Sequence, residues 1–144
     1  MIALLDVSVL IALIDPAHTE HLTVHAWFAR ESHRGWATCP LTENGALRIV
    51  SHPKYPNTPG APSAVAPALH SLLGQPAHVF WPDDISLLNT PLVDMDRLLT
   101  SGQLTDSYLL ALAVSRGGRL ATLDRRLVAS AVKDGKAALH LITA

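Results

Sequence analysis

The apolar residues of this chain gather in short runs, and longer stretches between them repeat apolar positions every three or four residues. Five runs are too short for helices and predict buried strands, over residues 2–5, 36–39, 78–81, 119–123 and 139–142. The stretches between them predict helices over residues 9–14, 18–30, 40–50, 63–73, 94–100, 105–116 and 124–132. Strands that alternate with helices predict a three-layer α/β/α fold around a central parallel sheet of about five strands.

Residues with strong backbone preferences mark the ends of several predicted helices. We expect His18 or Thr19 to cap the second helix, with Leu22, Ala26 and Ala29 on one apolar stripe. Residues 51–62 hold four prolines and one glycine, which predicts a loop. The other expected helix boundaries are Ser63, Gly74, Thr105 or Asp106, and the pair Gly117 and Gly118.

The length of 144 residues suits one full hydrophobic core, so we expect a single domain over residues 1–144. A content of 49% hydrophobic and 16% charged residues excludes a disordered chain. No apolar run approaches the ~18–20 residues of a membrane span. The apolar N-terminal stretch lacks basic residues and contains Asp6, so we expect it to belong to the mature fold. A single cysteine, Cys39, excludes an intrachain disulfide and fits a reducing, cytoplasmic setting.

Four carboxylates stand beside the most apolar segments, where a charge is costly unless it is paired or binds a metal. They are Asp6, Glu43, Asp106 and Asp124. Asp6 and Asp124 directly follow predicted strands, and the other two lie in the first turns of predicted helices. Because parallel strands end at one edge of a sheet, we expect a single crevice to collect all four side chains.

A site with oxygen ligands alone suits Mg²⁺, with Mn²⁺ as a possible substitute. A metal held by carboxylates orients a phosphodiester and makes a bound water more acidic. Each acid also has a simpler explanation, since Asp106 and Asp124 can be plain helix N-caps. The metal hypothesis therefore rests on the four acids together. The net charge of -1 argues weakly against a nucleic-acid partner, but basic residues cluster locally at positions 116–119, 125–126 and 133–136.

The segments around these acids resemble the four acidic motifs of PIN-domain proteins, in order and over the whole chain. The opening motif is residues 4–12, LLDVSVLIA, and the second is residues 42–48, TENGALR. The third is residues 104–113, LTDSYLLALA, and the fourth is residues 120–124, LATLD. Residues 40–55 and 80–84 extend the similarity to VapC toxins of bacterial toxin–antitoxin pairs, especially those of mycobacteria.

This resemblance implies a Mg²⁺-dependent endoribonuclease toxin of the type II kind, usually a homodimer, inhibited by a cognate VapB-type antitoxin. Carried over residue by residue, the catalytic acids are Asp6, Glu43, Asp106 and Asp124. Asp6 and Asp106 are the expected direct metal ligands, and Ser8 and Thr122 match small polar positions that support the site. Transfer RNA and ribosomal RNA are both compatible with the family as substrates, and one or two metal ions are compatible with the acids.

Several other residue types invite a functional interpretation. His18, His21 and His25 recur at helical spacing, but no Glu or Cys completes a zinc set, so a half-buried or exposed helix face is favoured. The aromatic residues of positions 27, 28 and 36 can stack on bases, yet buried core or dimer contacts are the ordinary role of such residues. Cys39 is expected in the core. Arg48 is either a structural partner or a groove base.

Two other classes of function remain open at this level. The first is a catalytically silent module that binds RNA or protein and keeps the acidic pocket for its fold. The second is a phosphotransfer domain with Asp6 as the phosphoacceptor, although Asp6-Val7-Ser8 lacks the second aspartate of such sites. Metal-dependent cleavage of RNA separates the nuclease hypothesis from both.

Overall fold

A five-stranded sheet, parallel throughout, runs through the centre of the computed structural model, which describes residues 1–144. The strand order is β3-β2-β1-β4-β5, so the first strand lies in the middle. The strands are β1 (Ala3–Leu5), β2 (Trp36–Thr38), β3 (His78–Phe80), β4 (Arg119–Thr122) and β5 (Leu139–Leu141). All five predicted strands are therefore present, each within a residue or two of its expected bounds.

Helices cover both faces of this sheet and complete the expected three-layer α/β/α fold. The first four pack on one face and the last two on the other. They are α1 (Val7–Ile14), α2 (His21–Glu31), α3 (Pro40–Val50), α4 (Pro62–Leu73), α5 (Leu104–Ser115) and α6 (Gly135–Ala138). Short 3-10 turns occupy Ser32–Arg34, Met95–Arg97 and Ser101–Gln103. No helix is long and apolar enough to cross a membrane.

Alternating side chains of the central strand explain why both faces need cover. Ala3 and Leu5 join the apolar cluster beneath α1 to α4, whereas Leu4 joins the cluster beneath α5 and α6. All three side chains are buried. A strand buried on both faces is typical of a parallel sheet and accounts for the unbroken apolar run before Asp6.

The predicted apolar stripe of α2 is wrong. Leu22 is 82% exposed, and Ala26 and Ala29 are also exposed, while Val24 and Trp27 are buried. The indole of Trp27 decides the rotation of the helix. It buries far more apolar surface than Leu22, which lies at the end of the helix, or than the small side chains of Ala26 and Ala29. Its Nε1 also donates to Nε2 of His140 on β5, at 2.9 Å. Neither His18 nor Thr19 is the N-cap, since the cap position is Glu20.

The predicted helix over residues 124–132 is also wrong, and the backbone hydrogen bonds explain why. This segment makes turns and then pairs with residues 92–94 in a short antiparallel bridge between Val93 and Val132. The amide of Asp94 donates to the Ala131 carbonyl at 2.8 Å, and the amide of Lys133 donates to the Leu92 carbonyl at 2.7 Å. In both segments these hydrogen bonds take the place of those that a helix would form. Only one 3-10 turn therefore forms within the helix expected over residues 94–100.

Two helix starts differ slightly from those expected. The N-cap of α4 is Ala61 rather than Ser63, which lies in the first turn directly after Pro62. Helix α5 begins at Leu104, so Asp106 lies inside the first turn instead of capping it. That position matters for the site, because the carboxylate of Asp106 is not committed to capping the helix.

Candidate functional site

The four acids predicted from the sequence all lie at the carboxyl edge of the sheet. Asp6 directly follows β1, and Asp124 lies two residues beyond the last residue of β4. Glu43 and Asp106 occupy the first turns of α3 and α5. Parallel pairing accounts for the positions of Asp6 and Asp124, because parallel strands all end at the same edge of the sheet.

Asp6 is the most deeply placed of the four, with 7% of its surface exposed. It caps α1, where its Oδ1 accepts from the Val7 amide at 2.7 Å, and its Oδ2 accepts from Thr122 Oγ1 at 2.7 Å. Burial raises the pKa of Asp6; these two hydrogen bonds oppose that rise, and the Asp124 carboxylate adds to it. The two hydrogen bonds therefore fix the direction of both carboxylate oxygens. Burial still makes the ionised form of Asp6 costly in free energy.

Thr122 connects two of the acids. Its hydroxyl is fully buried at the end of β4, donates to Asp6, and accepts from the Asp124 amide at 3.0 Å. Asp124 itself is exposed, and its Oδ1 accepts from the Arg126 amide at 2.9 Å. The turn after β4 is thus organised around one hydroxyl, that of the residue expected from the resemblance to support the site.

Asp106 differs from its neighbours because no hydrogen bond reaches its carboxylate. It is half-buried in the first turn of α5. Burial, followed by the charges of Asp6 and Asp124, raises the pKa of Asp106 to about 6. Three of the four predicted acids therefore lie close enough to repel one another, and Asp106 is the one that nothing compensates.

Glu43 is held by different partners. Its Oε2 accepts from Thr38 Oγ1 at 2.6 Å, and the same hydroxyl contacts Nε2 of His78 at 2.8 Å. Burial lowers the pKa of His78, and the charge of Glu43 opposes that change. Neither Thr38 nor His78 was singled out from the sequence. A signal did exist, since Thr38 ends β2 as Thr122 ends β4.

The donor set of this site fits a hard cation. None of the four acids pairs with a basic side chain, because the ion pairs of the chain involve Glu31, Asp84 and Asp94 instead. Every candidate ligand is an oxygen, which Mg²⁺ and Mn²⁺ prefer. No three acidic, histidine or cysteine side chains stand close enough together to enclose an ion directly. A cation would therefore be held by few carboxylates and by water, as Mg²⁺ commonly is.

Two serines beside the acids have hydroxyls without a partner. Ser8 lies in the first turn of α1, and Ser107 follows Asp106 in α5. The Oγ atoms of both are buried and make no hydrogen bond. A buried hydroxyl without a partner costs roughly 1–3 kcal/mol, which a bound water or ligand can recover. Ser8 was expected to support the site, whereas Ser107 was not.

The other residues considered from the sequence have contacts that explain them by structure rather than by function. Trp27 and Trp36 are buried, as expected for core aromatics. Cys39 is fully buried, and burial raises the pKa of its thiol to about 11. His21 bonds through Nδ1 to the Ala12 carbonyl, and its ring lies 5.1 Å from that of His25. No acid or cysteine joins these histidines in a metal-binding group.

Basic side chains line one open groove beside α3. Arg48 and His52 contribute to two adjoining depressions of the surface, and Lys54 lines the second. All three are exposed, and neither Arg48 nor Lys54 pairs with an acid. Arg48 is therefore a groove base rather than the partner of a structural carboxylate. Glu43 lies in the first turn of the same helix, whereas Arg48 lies in its last turn.

Comparison with known proteins assigns the chain to a family. No protein-family model matches the chain. Ribonuclease VapC44 of Mycobacterium tuberculosis (strain ATCC 25618 / H37Rv) is 42% identical over 147 residues, covering 99% of each chain. From the same strain, Ribonuclease VapC39 is 41% identical over 131 residues, or 91% of this chain and 94% of its own. Ribonuclease VapC38 is 39% identical over 144 residues, or 98% of both.

Similarity at this level over nearly the whole length is strong, and the three-layer fold agrees with it. The chain therefore belongs to the PIN-domain family of VapC-type toxin ribonucleases of the mycobacterial kind.

Proposed function

We propose that this protein is a Mg²⁺-dependent endoribonuclease, the toxin of a toxin–antitoxin pair, which hydrolyses RNA phosphodiesters with a metal-activated water. The observation that carries the proposal is the group of Asp6, Asp106 and Asp124, whose charges repel one another without any basic partner. Evolution rarely retains such an arrangement for stability, because each ionised group is destabilised by the others. Membership of the VapC family supports the same assignment.

Asp6 and Asp106 are the proposed direct metal ligands, with Glu43 and Asp124 completing the acidic site. When bound, Mg²⁺ supplies positive charge that offsets charge developing on the phosphodiester and lowers the pKa of a bound water. Thr122 keeps the Asp6 carboxylate in one orientation, and Thr38 does the same for Glu43. Because Asp106 has no hydrogen bond to break, its carboxylate can turn toward a cation at little cost.

The groove beside α3 is the proposed path of the RNA backbone. Arg48, His52 and Lys54 present positive or protonatable groups along it, and none of them is engaged by a carboxylate. Phosphate contacts of this kind provide affinity without reading the base sequence. The groove would therefore bind an RNA strand and leave the choice of cleavage site to other contacts.

The proposed inhibitor is a VapB-type antitoxin that places an arginine among the acids. A guanidinium matches carboxylates in bidentate fashion and stays charged at any physiological pH. It would compete with Mg²⁺ for the same oxygens, so inhibition should weaken as Mg²⁺ rises, and Asp106→Ala should bind the antitoxin less tightly. An affinity of the purified pair that ignores both changes would place the inhibitor elsewhere on the surface.

We also propose a single domain over residues 1–144 and a two-fold homodimer whose acidic sites open on a shared, partly basic groove. One sheet serves both apolar clusters, which supports the single domain. Large apolar side chains left in contact with solvent support the dimer: Leu22, Leu88 and Leu99 are 80% exposed or more. Where such side chains gather into one patch, they usually mark an interface.

The decisive experiment compares the wild type with Asp6→Asn on bulk transfer RNA and ribosomal RNA, with and without Mg²⁺. We expect the wild type to cleave at defined sites, and chelation or Asp6→Asn to abolish cleavage while circular dichroism stays unchanged. Cleavage that survives exhaustive chelation would exclude the metal mechanism. RNA binding without any cleavage in Mg²⁺ or Mn²⁺ would instead identify the alternative, a catalytically silent module.

A further inference from the structure

The hydroxyl of Thr38 joins two side chains that the sequence places 35 positions apart, Glu43 and His78. Thr38 is fully buried as the last residue of β2, and its Oγ1 lies 2.6 Å from Glu43 Oε2 and 2.8 Å from His78 Nε2. Parallel pairing of β2 with β3 sets this contact, because it aligns Trp36 with His78. The imidazole then packs against the Trp36 indole at 4.6 Å.

Counting protons fixes the direction of both hydrogen bonds. A threonine hydroxyl has one proton to donate, and a carboxylate can only accept. The proton of Thr38 therefore goes to Glu43, and Thr38 must accept from His78. That requirement selects the neutral tautomer of His78 with hydrogen on Nε2. The result is a one-way chain of donors, from the imidazole to the hydroxyl and from the hydroxyl to the carboxylate.

A similar hydrogen-bond arrangement occurs on the other side of the central strand. Thr122 ends β4, is fully buried, donates to Asp6 at 2.7 Å and accepts from the Asp124 amide. Each of the two strands that flank β1 thus ends in a buried threonine that donates its proton to a carboxylate of the candidate site. The donor behind the hydroxyl differs, being a backbone amide at Thr122 and a side chain at Thr38.

We propose that Thr38 and His78 are positioning residues for Glu43, a role that rests on the proposed function of the acidic site. The imidazole orients the hydroxyl, and the hydroxyl holds the Glu43 carboxylate in one orientation at the carboxyl edge of the sheet. Without this chain, the carboxylate would sample several rotamers and present its oxygens to a cation only part of the time. The two residues act through Glu43 and touch neither the metal nor the RNA.

Packing alone does not account for His78. It lies on an edge strand and is half-buried, and its neighbours Val79 and Phe80 are 37% and 53% exposed. Replacing it should therefore disturb little beyond its contact with the Trp36 indole. His140 on the opposite edge strand offers a matched comparison, because it is also half-buried and packs on a tryptophan. Its Nε2 accepts from Trp27, so its hydrogen must lie on Nδ1.

The first test needs no metal and no RNA. Long-range proton–nitrogen NMR of the neutral rings, at about pH 8 and above the ordinary histidine pKa, reports the tautomer of each histidine. We expect hydrogen on Nε2 in His78 and on Nδ1 in His140. Thr38→Val should alter the nitrogen shifts of His78 and leave those of His140 unchanged. Hydrogen on Nδ1 of His78 in the wild type would overturn the proposed chain.

The second test measures Mn²⁺ binding by calorimetry and the Mg²⁺ dependence of RNA cleavage. Thr38→Val, which keeps the shape and loses the hydroxyl, should weaken Mn²⁺ binding about tenfold and raise the Mg²⁺ requirement similarly. Thr38→Ser should restore both to within about twofold, which a purely structural role would not predict. His78→Gln keeps a donor and should be milder than His78→Leu, while the control His140→Gln should change neither quantity.

Glu43→Gln separates failure of this inference from failure of the proposed function. If Glu43→Gln cleaves RNA and binds Mn²⁺ like the wild type while Asp6→Asn does not, Glu43 is not part of the acidic site and the positioning role fails alone; if Asp6→Asn also matches the wild type, the proposed function fails. If Glu43→Gln is impaired while a folded Thr38→Val matches the wild type, the site stands and the positioning role alone is refuted. Impairment of both, with rescue by Thr38→Ser, supports the chain as drawn.

Discussion

Asp106→Asn offers a direct test of electrostatic strain in the metal-free protein. The substitution keeps the shape of the side chain and removes a charge that no hydrogen bond or basic residue compensates. We expect it to raise the free energy of unfolding at pH 7.5 while abolishing RNA cleavage. A loss of function that stabilises the fold is the expected signature of carboxylates assembled for a cation.

The magnitude follows from the pKa of Asp106, which rises from an ordinary 3.8 to about 6. A rise of that size corresponds to roughly 3 kcal/mol, at ~1.36 kcal/mol for each tenfold change. Because the residue is only half-buried, solvent screening reduces this to ~1.5 kcal/mol. Loss of a favourable charge in the first turn of α5 removes ~0.5 kcal/mol. We therefore expect a net gain of ~1 kcal/mol, or ~3 °C in melting temperature.

The sign of the pH dependence follows from the same values. A folded-state pKa above the unfolded one means that folding favours the protonated acid. The destabilisation is absent below pH ~4, grows between pH ~4 and ~6, and is complete above pH ~6. The advantage of Asp106→Asn over the wild type should therefore appear over that interval and vanish at low pH.

Differential scanning calorimetry in the presence of a chelator, between pH 4 and pH 8, measures this difference. Asp96→Asn is the matched control, because Asp96 is exposed, forms no ion pair and undergoes the same chemical change. Its melting temperature should follow that of the wild type at every pH. Equal or lower stability of Asp106→Asn at pH 7.5, or a gain that persists at pH 4, would refute the reasoning.

Three further predictions concern other parts of the molecule. Burial raises the pKa of Asp15, but hydrogen bonds from Tyr55, Asn57 and the Ala17 amide outweigh burial and lower the pKa overall. This carboxylate therefore stabilises the fold above pH ~4 and loses that effect as pH falls. Tyr55→Phe should cost ~2 kcal/mol in urea unfolding at pH 7 and much less at pH 2.5; an equal cost at both would contradict this. Arg48→Ala should weaken binding of bulk RNA and lower the salt slope by ~1, and an unchanged slope would remove it from the RNA path. Light scattering at micromolar concentration should give about twice the 15.4 kDa chain mass, whereas a monomer would contradict the dimer.

Much of the site could be predicted from the sequence, because a parallel strand commits the residue that follows it to one edge of the sheet. Asp6 directly follows a run that is apolar on both faces, and Asp124 follows another. The positions of Glu43 and Asp106 in the first turns of helices are equally local. Strand periodicity and helix signals were therefore sufficient for the fold and for the edge at which all four acids lie.

Errors arose where tertiary contacts compete with local preference. The segment after Asp124 has a helical pattern, yet its amides and carbonyls pair with residues 92–94, which no local pattern reveals. The apolar stripe of α2 was assigned to Leu22 and its neighbours, whereas burial of Trp27 against His140 rotates the helix. In both cases a long-range partner supplies more free energy than the local signal.

The sequence by itself determined the order of the five strands along the chain, the edge of the sheet that carries the acids and the oxygen-only character of the candidate site. Only the tertiary structure decided which acids raise one another's pKa and which groups hold each carboxylate. Asp6, Asp106 and Asp124 act on one another, while Glu43 is bound to Thr38 and through it to His78. The physical reason is that hydrogen bonds and charge repulsion depend on distances of a few ångströms, and these are set by sheet register and helix rotation. The spacing of residues along a chain does not contain those distances.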